Sequence, residues 1–158
     1  MKVYLAGYIQ GSKLDQCIGW RKRIREHYEH WKDDKPYPIT WLDPLNGKQL
    51  ATITLDGLKS STPRNAIVHR DYKCVEDCDL IVANMDTFGE TRPLTGTICE
   101  LAWAWDKHKS IIMITDEMKY KEHPFLSYFA STIVKDVDEL LDKKIINYFY
   151  KGTVNAIY

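Results

Sequence analysis

Residues 78–105 read CDLIVANMDTFGETRPLTGTICELAWAW. The apolar run Leu80 to Ala83 is short, continuous and rich in branched residues, which suits a strand buried on both faces of a parallel sheet. A polar, glycine- and proline-containing segment follows, and then a helical stretch over Thr97 to Lys107. Strand, loop and helix in that order form half of a crossover unit.

Working outward, the same rhythm recurs. Val3 to Ala6, Ile39 to Leu42, Ile111 to Thr115 and Thr132 to Val134 read as four further strands. Helical spacing marks Leu14, Cys17, Ile18, Arg21, Ile24, Arg25 and Tyr28, then Ala66 to Glu76 after Pro63, and finally Val137 to Tyr150. Alternating strands and helices predict an α/β fold: a doubly wound, flavodoxin-like, five-stranded parallel sheet flanked by helices. The segment Asp43 to Thr62 breaks the rhythm and is long for a connection, so a loop that covers a site or is mobile is expected there.

The 158 residues fit one domain, taken as 1–158. Lysine plus arginine equal aspartate plus glutamate at 22 each, which argues against electrostatic capture of nucleic acid or of an anionic membrane and favours a small ligand. The first apolar run stops at Gln10 with no cleavage motif behind it, so it reads as a strand and not as a signal peptide. Cys17, Cys74, Cys78 and Cys99 match neither a zinc nor a redox spacing and are expected to be reduced thiols, as in a cytoplasmic protein. The five histidines show no ligand spacing, and neither metal nor cofactor is expected.

In an open parallel sheet, ligands bind beyond the carboxyl ends of the strands where the winding reverses. That rule singles out Gly7, Tyr8, Gln10, Gly11 and Ser12 after the first strand and Asn84 and Asp86 after the third. Glu100 has two readings at this point. Thr97 and Glu100 fit a capping box, in which the acid merely bonds back to the helix start. Alternatively, a carboxylate in the first helical turn is held ionised by the helix dipole, as a nucleophile must be, with Gly96 leaving room for a ligand.

Tyr4-Leu5-Ala6-Gly7, His69-Arg70-Asp71, Cys78 to Asn84 and Gly96-Thr97-Ile98-Cys99-Glu100-Leu101-Ala102, in this order and spacing, resemble the nucleoside 2-deoxyribosyltransferase family and its relatives that hydrolyse the N-glycosidic bond of nucleotides. The resemblance runs over nearly the whole chain. It implies that Glu100 attacks the anomeric carbon of a nucleoside and forms a glycosyl ester, which a second base or water resolves with retention of configuration. By the same resemblance Tyr4 orients the nucleophile and Asp71 helps position the sugar. Gly7, Tyr8, Gln10, Asp86, Gly96, Thr97 and the terminal Tyr158 are then substrate-binding candidates. The resemblance also implies nucleosides and free nucleobases as partners, and a homo-oligomer in which a neighbouring subunit completes the site.

Two features depart from the family pattern. Its transferases carry an aspartate six residues before the nucleophile, where Leu94 stands here, so the proton donor is unassigned and Asp86 or Glu90 are the alternatives. Nucleotide-cleaving relatives place an arginine in the first turn to hold the 5′-phosphate. None occurs in Tyr8 to Ser12, and Gln10 suits a neutral hydroxyl, which points to nucleosides. An N-glycosidase using the same glutamate, and a nucleotide-sensing module without catalysis, remain as alternatives.

Overall fold

A computed structural model describes residues 1–9, 11–30, 38–46, 52–54, 57–59 and 63–150. Its main sheet contains β1 (Lys2–Gly7), β2 (Thr40–Leu42), β5 (Leu80–Asn84), β6 (Ser110–Ile114) and β7 (Thr132–Val134), all parallel, in the spatial order β2-β1-β5-β6-β7. Taken in sheet order this is the flavodoxin-like arrangement, and the winding reverses between β1 and β5. There Gly7 pairs with Asn84 at the carboxyl edge.

The strands are apolar over their central residues because helices cover both faces, and their two-residue period divides the core in two. Tyr4, Ala6, Ile81, Ala83, Ile111 and Met113 face α2 (Arg64–Asp77) and α3 (Thr95–Asp106). Val3, Leu5, Leu80, Val82, Ile112 and Ile114 face α1 (Leu14–His30) and α6 (Val137–Asp142). No helix among the described residues is long and apolar enough to cross a membrane. All four cysteines are free thiols.

Several expectations are corrected by the backbone. The segment expected as a loop after Asp43 contains an antiparallel pair, β3 (Thr52–Thr54) and β4 (Gly57–Lys59). Between β6 and β7 lie two short helices that the apolar pattern did not announce, α4 (Met118–Lys121) and α5 (Pro124–Phe129). Proline in the first turn of α5 supplies a helical φ where no amide bond is lost. The last helix stops at Asp142 and not at Tyr150, because Lys144 takes a left-handed conformation and a 3-10 turn (Ile145–Phe149) follows.

Candidate active site

β1 carries Tyr4 toward the α2 and α3 face, and α3 brings Glu100 over it. The Tyr4 hydroxyl donates to Glu100 Oε1 at 2.7 Å in a buried setting. Burial, followed by the nearby charges of Glu100 and Asp71, holds the Tyr4 phenol well above its ordinary pKa, so the tyrosine stays a proton-bearing donor. Asp71, buried on α2, accepts from Arg70 at 2.8 Å and lies within electrostatic reach of Tyr4. Arg70 in turn donates to the carbonyls of Pro44 and Asn46 just after β2. Three elements thus bring Tyr4, Asp71 and Glu100 together from sequence positions up to 96 residues apart.

The capping-box reading of Thr97 and Glu100 does not hold. Helix α3 starts at Thr95, its N-cap is Leu94, and no side chain caps it. Glu100 is therefore the sixth helical residue, in the second turn, where the dipole has largely faded. What faces the carboxylate is a tyrosine hydroxyl and, at longer range, a cation.

That cation is Arg21, which sequence reasoning placed only in a helical pattern. It is fully buried. Its guanidinium donates to the carbonyls of Leu5 (3.3 Å), Cys17 (2.6 Å) and Gly7 (3.2 Å), and its Nε lies 3.7 Å from Asp43 Oδ1. Burial lowers its pKa while Cys17, Asp43, Tyr4 and Glu100 act to raise it. An arginine at this depth keeps its charge, so a positive group sits behind the Tyr4–Glu100 pair and favours the carboxylate. Asp43 is itself fixed by Arg25 at 2.9 Å and by the amide of Leu45 at 2.9 Å. The signal in the sequence was an arginine on the apolar stripe of α1, flanked at i−4 by Cys17 and at i+3 by Ile24.

The other candidates divide. Gly7 closes β1 where a Cβ would stand 3.0 Å from the Asn84 carbonyl oxygen and 3.0 Å from the Trp20 ring, so close packing alone demands glycine. Tyr8 is buried beside Leu94 in the α2/α3 core, and Leu94, 2% exposed, is a packing residue. Gly96 lies exposed with open space where a Cβ would go, and Thr97 is buried on the inner side of α3. Asp86 lines a cleft whose lining includes neither Tyr4 nor Glu100. Its amide donates to Asn84 Oδ1, its carboxylate accepts from the Phe88 amide, and the cleft, of about 460 Å³, also takes in Trp20, Thr115 and Asp116 at the ends of β5 and β6. Gln10 and Tyr158 lie outside the described residues.

The described residues thus form a doubly wound sheet with a buried tyrosine–carboxylate hydrogen bond beside its switch point. The family model described as nucleoside 2-deoxyribosyltransferase matches residues 3–145, and the chain belongs to that family of glycosyl-transferring or glycosidase enzymes. Among solved structures it is similar to a 2-desoxiribosyltransferase from Leishmania mexicana, at 21% identity and a TM-score of 0.52 over 77% of this chain and 69% of that one. It is also similar to the CMP N-glycosidase BcmB of Clostridium botulinum, at 18% identity and a TM-score of 0.56 over 93% and 99%. At these identities the likeness is one of fold. No curated protein matches the chain.

Proposed function

We propose that the protein transfers a 2-deoxyribosyl group between nucleobases through a glycosyl ester on Glu100. The observation that carries this reading is the 2.7 Å hydrogen bond from Tyr4 to Glu100, buried beside the switch point with Arg21 behind it. Tyr4 fixes one carboxylate oxygen and leaves the group oriented for attack on the anomeric carbon. The glutamate oxygen forms a bond to that carbon as the bond to the base nitrogen breaks, and the bonding pair leaves with the base. Attack by a second base on the opposite side releases the glutamate, and two inversions retain the configuration. Asp71, anchored by Arg70, positions the sugar. The proton that neutralises the departing base comes from a group other than residue 94, which is a buried leucine.

Incubation with deoxyinosine and free adenine should yield deoxyadenosine and hypoxanthine. Formation of free sugar in place of the new nucleoside would replace transfer by hydrolysis, the second reading. That reading draws support from Leu94, because the family's transferases carry an acid there. Recovery of these substrates unchanged, with the other common deoxynucleosides and their 5′-monophosphates also left intact, would remove the glycosyl chemistry and leave a sensing module.

The same reading includes cytoplasmic location, consistent with four free thiols, and assembly of identical subunits, which the exposed aromatic face of α3 and α5 supports. Ile98 and Trp105 lie one heptad apart on the outer side of α3, opposite Glu100. Phe125 and Tyr128 add to this face at 67% and 70% exposure.

A further inference from the structure

Asp43 stands just beyond the carboxyl end of β2, and its side chain is 2% exposed. It bonds in two directions. On one side Oδ2 accepts from Arg25 Nη1 at 2.9 Å and Oδ1 lies 3.7 Å from Arg21 Nε, so two arginines of α1 hold the carboxylate. On the other side Asp43 folds its own backbone: Oδ1 accepts from the Leu45 amide at 2.9 Å, and the Asp43 carbonyl accepts from the Asn46 amide at 3.0 Å. Pro44 presets φ at the second position of this turn, as an aspartate-headed turn favours.

The carbonyls of the turn meet Arg70. Its Nη1 donates to the Asn46 carbonyl at 3.2 Å and its Nη2 to the Pro44 carbonyl. The same guanidinium reaches its neighbour in sequence, with Nε at 3.2 Å and Nη2 at 2.8 Å from Asp71 Oδ1. Consecutive residues of a helix point about 100° apart and do not face one another. An arginine that grips its own neighbour therefore needs a second anchor, and the turn supplies it. Both bonds to Asp71 fall on one oxygen, and among the described residues none reaches Oδ2.

Arg21 completes the connection, since it also grips the carbonyls of Leu5 and Gly7 on β1, the strand that holds Tyr4. Asp43 thus ties the strand of Tyr4 to the helix of Asp71. Given the glycosyl chemistry proposed above, on which this inference rests, we propose that Asp43 is a positioning residue: its turn holds Arg70, and Arg70 fixes Asp71 by one oxygen and leaves the other to accept from a sugar hydroxyl. Asp43 acts at two removes from the sugar. A reacting group displaced by about 1 Å can lose about a hundredfold in rate, so the clamp acts on kcat more than on binding.

The test is a set of double-mutant cycles in steady-state kcat and KM, on whichever common deoxynucleoside or 5′-monophosphate the wild type cleaves fastest. Arg70→Gln should lower kcat about tenfold or more, because a hydrogen bond to a charged group is worth about that factor. Asp43→Asn should lower kcat about fivefold, and KM should stay within about twofold of wild type in both variants. In the Asp71→Asn protein neither substitution should cost more than about a further twofold, since both act through the lost carboxylate. Arg25→Gln removes one anchor of Asp43 from a side chain that is 26% exposed, and it should give the same kcat loss, a few-fold, should Asp43→Asn fail to fold with Arg21 unneutralised. Losses that multiply with that of Asp71→Asn would assign Asp43 and Arg70 to general stability and overturn the proposal. Single variants at the wild-type rate, or losses confined to KM, would overturn it as well. A wild type that releases base from none of these substrates would remove the glycosyl reading and this role with it, whereas normal turnover with multiplying losses would remove this role alone.

Discussion

At the residue scale the chemistry rests on a few oxygen atoms. Glu100→Gln preserves the shape of the carboxylate but cannot form a glycosyl ester, so turnover should fall to background while the protein remains folded. Mass spectrometry of the wild type under turnover should show an added deoxyribosyl group that this variant lacks. Tyr4→Phe removes the 2.7 Å donor and keeps the ring in place. A hydrogen bond to a charged group contributes about 1.5 to 3 kcal/mol, so steady-state assays should show kcat lowered about ten- to a hundredfold. A rate within twofold of wild type would deny Tyr4 its orienting role. Tyr4, Asp71 and Glu100 were singled out through the family resemblance of the short motifs that hold them, since local pattern alone gives a strand tyrosine and a helical acid ordinary packing and capping roles. Arg21 was not: an arginine on a helical apolar stripe looks the same in sequence whether its head snorkels to solvent or, as here, bonds three carbonyls in the interior.

At the element scale, the five strands of the parallel sheet were legible to within a residue or two because buried parallel strands are continuous apolar runs, whereas the short β3–β4 pair was not. Helix ends were less legible. The capping box sought at Thr97 is absent, whereas Asp136 caps α6 by accepting from the Glu139 amide at 2.8 Å, and Glu139 reaches back to the Lys135 amide at 2.7 Å. Asp136→Ala should lower stability by about 1 kcal/mol in urea titration, the usual worth of such a cap. The end of α2 carries a pH dependence. Cys78 is buried at the C-cap, its thiol donates to the Val75 carbonyl at 3.2 Å, and burial pushes its pKa up to about 12 from an ordinary 9.0. The folded form thus holds a proton that the unfolded chain gives up first. Stability from this group is complete below pH 9 and is lost as pH rises from 9 toward 12. Denaturation midpoints measured from pH 8 to 11 should fall, and Cys78→Ala should flatten the fall. An equally steep decline in the variant would assign it to other groups, with the tyrosines Tyr4 and Tyr28, both also raised by burial, next in line.

At the scale of the whole molecule, the sheet order was accessible because alternating strands and helices leave few arrangements, while subunit association is written in a different kind of pattern. GTICELAWAW is apolar around more than one side of its helix. Thr97, Glu100, Leu101 and Ala104 are buried inward, yet Ile98 at 36% and Trp105 at 41% exposure face outward. A helix apolar on two sides needs two covers, and the described chain supplies the outer side only with a partial one: Trp105 stacks on Phe129 at 5.7 Å between ring centroids and meets Tyr128 at 5.0 Å. An apolar groove of about 460 Å³ continues along Ile98, Tyr120, Phe125 and Leu126. Exposed apolar surface of this kind marks an interaction site. A second copy of the chain is the cover consistent with the proposed assembly, and light scattering should give a multiple of 18.5 kDa. Tyr128→Glu puts a charge on a residue already 70% exposed, so folding should be little affected while association weakens. If a neighbouring subunit completes the site, specific activity should fall with the oligomer on dilution of this variant and recover at high concentration. A chain that is monomeric at every concentration and fully active would leave the aromatic face without this role.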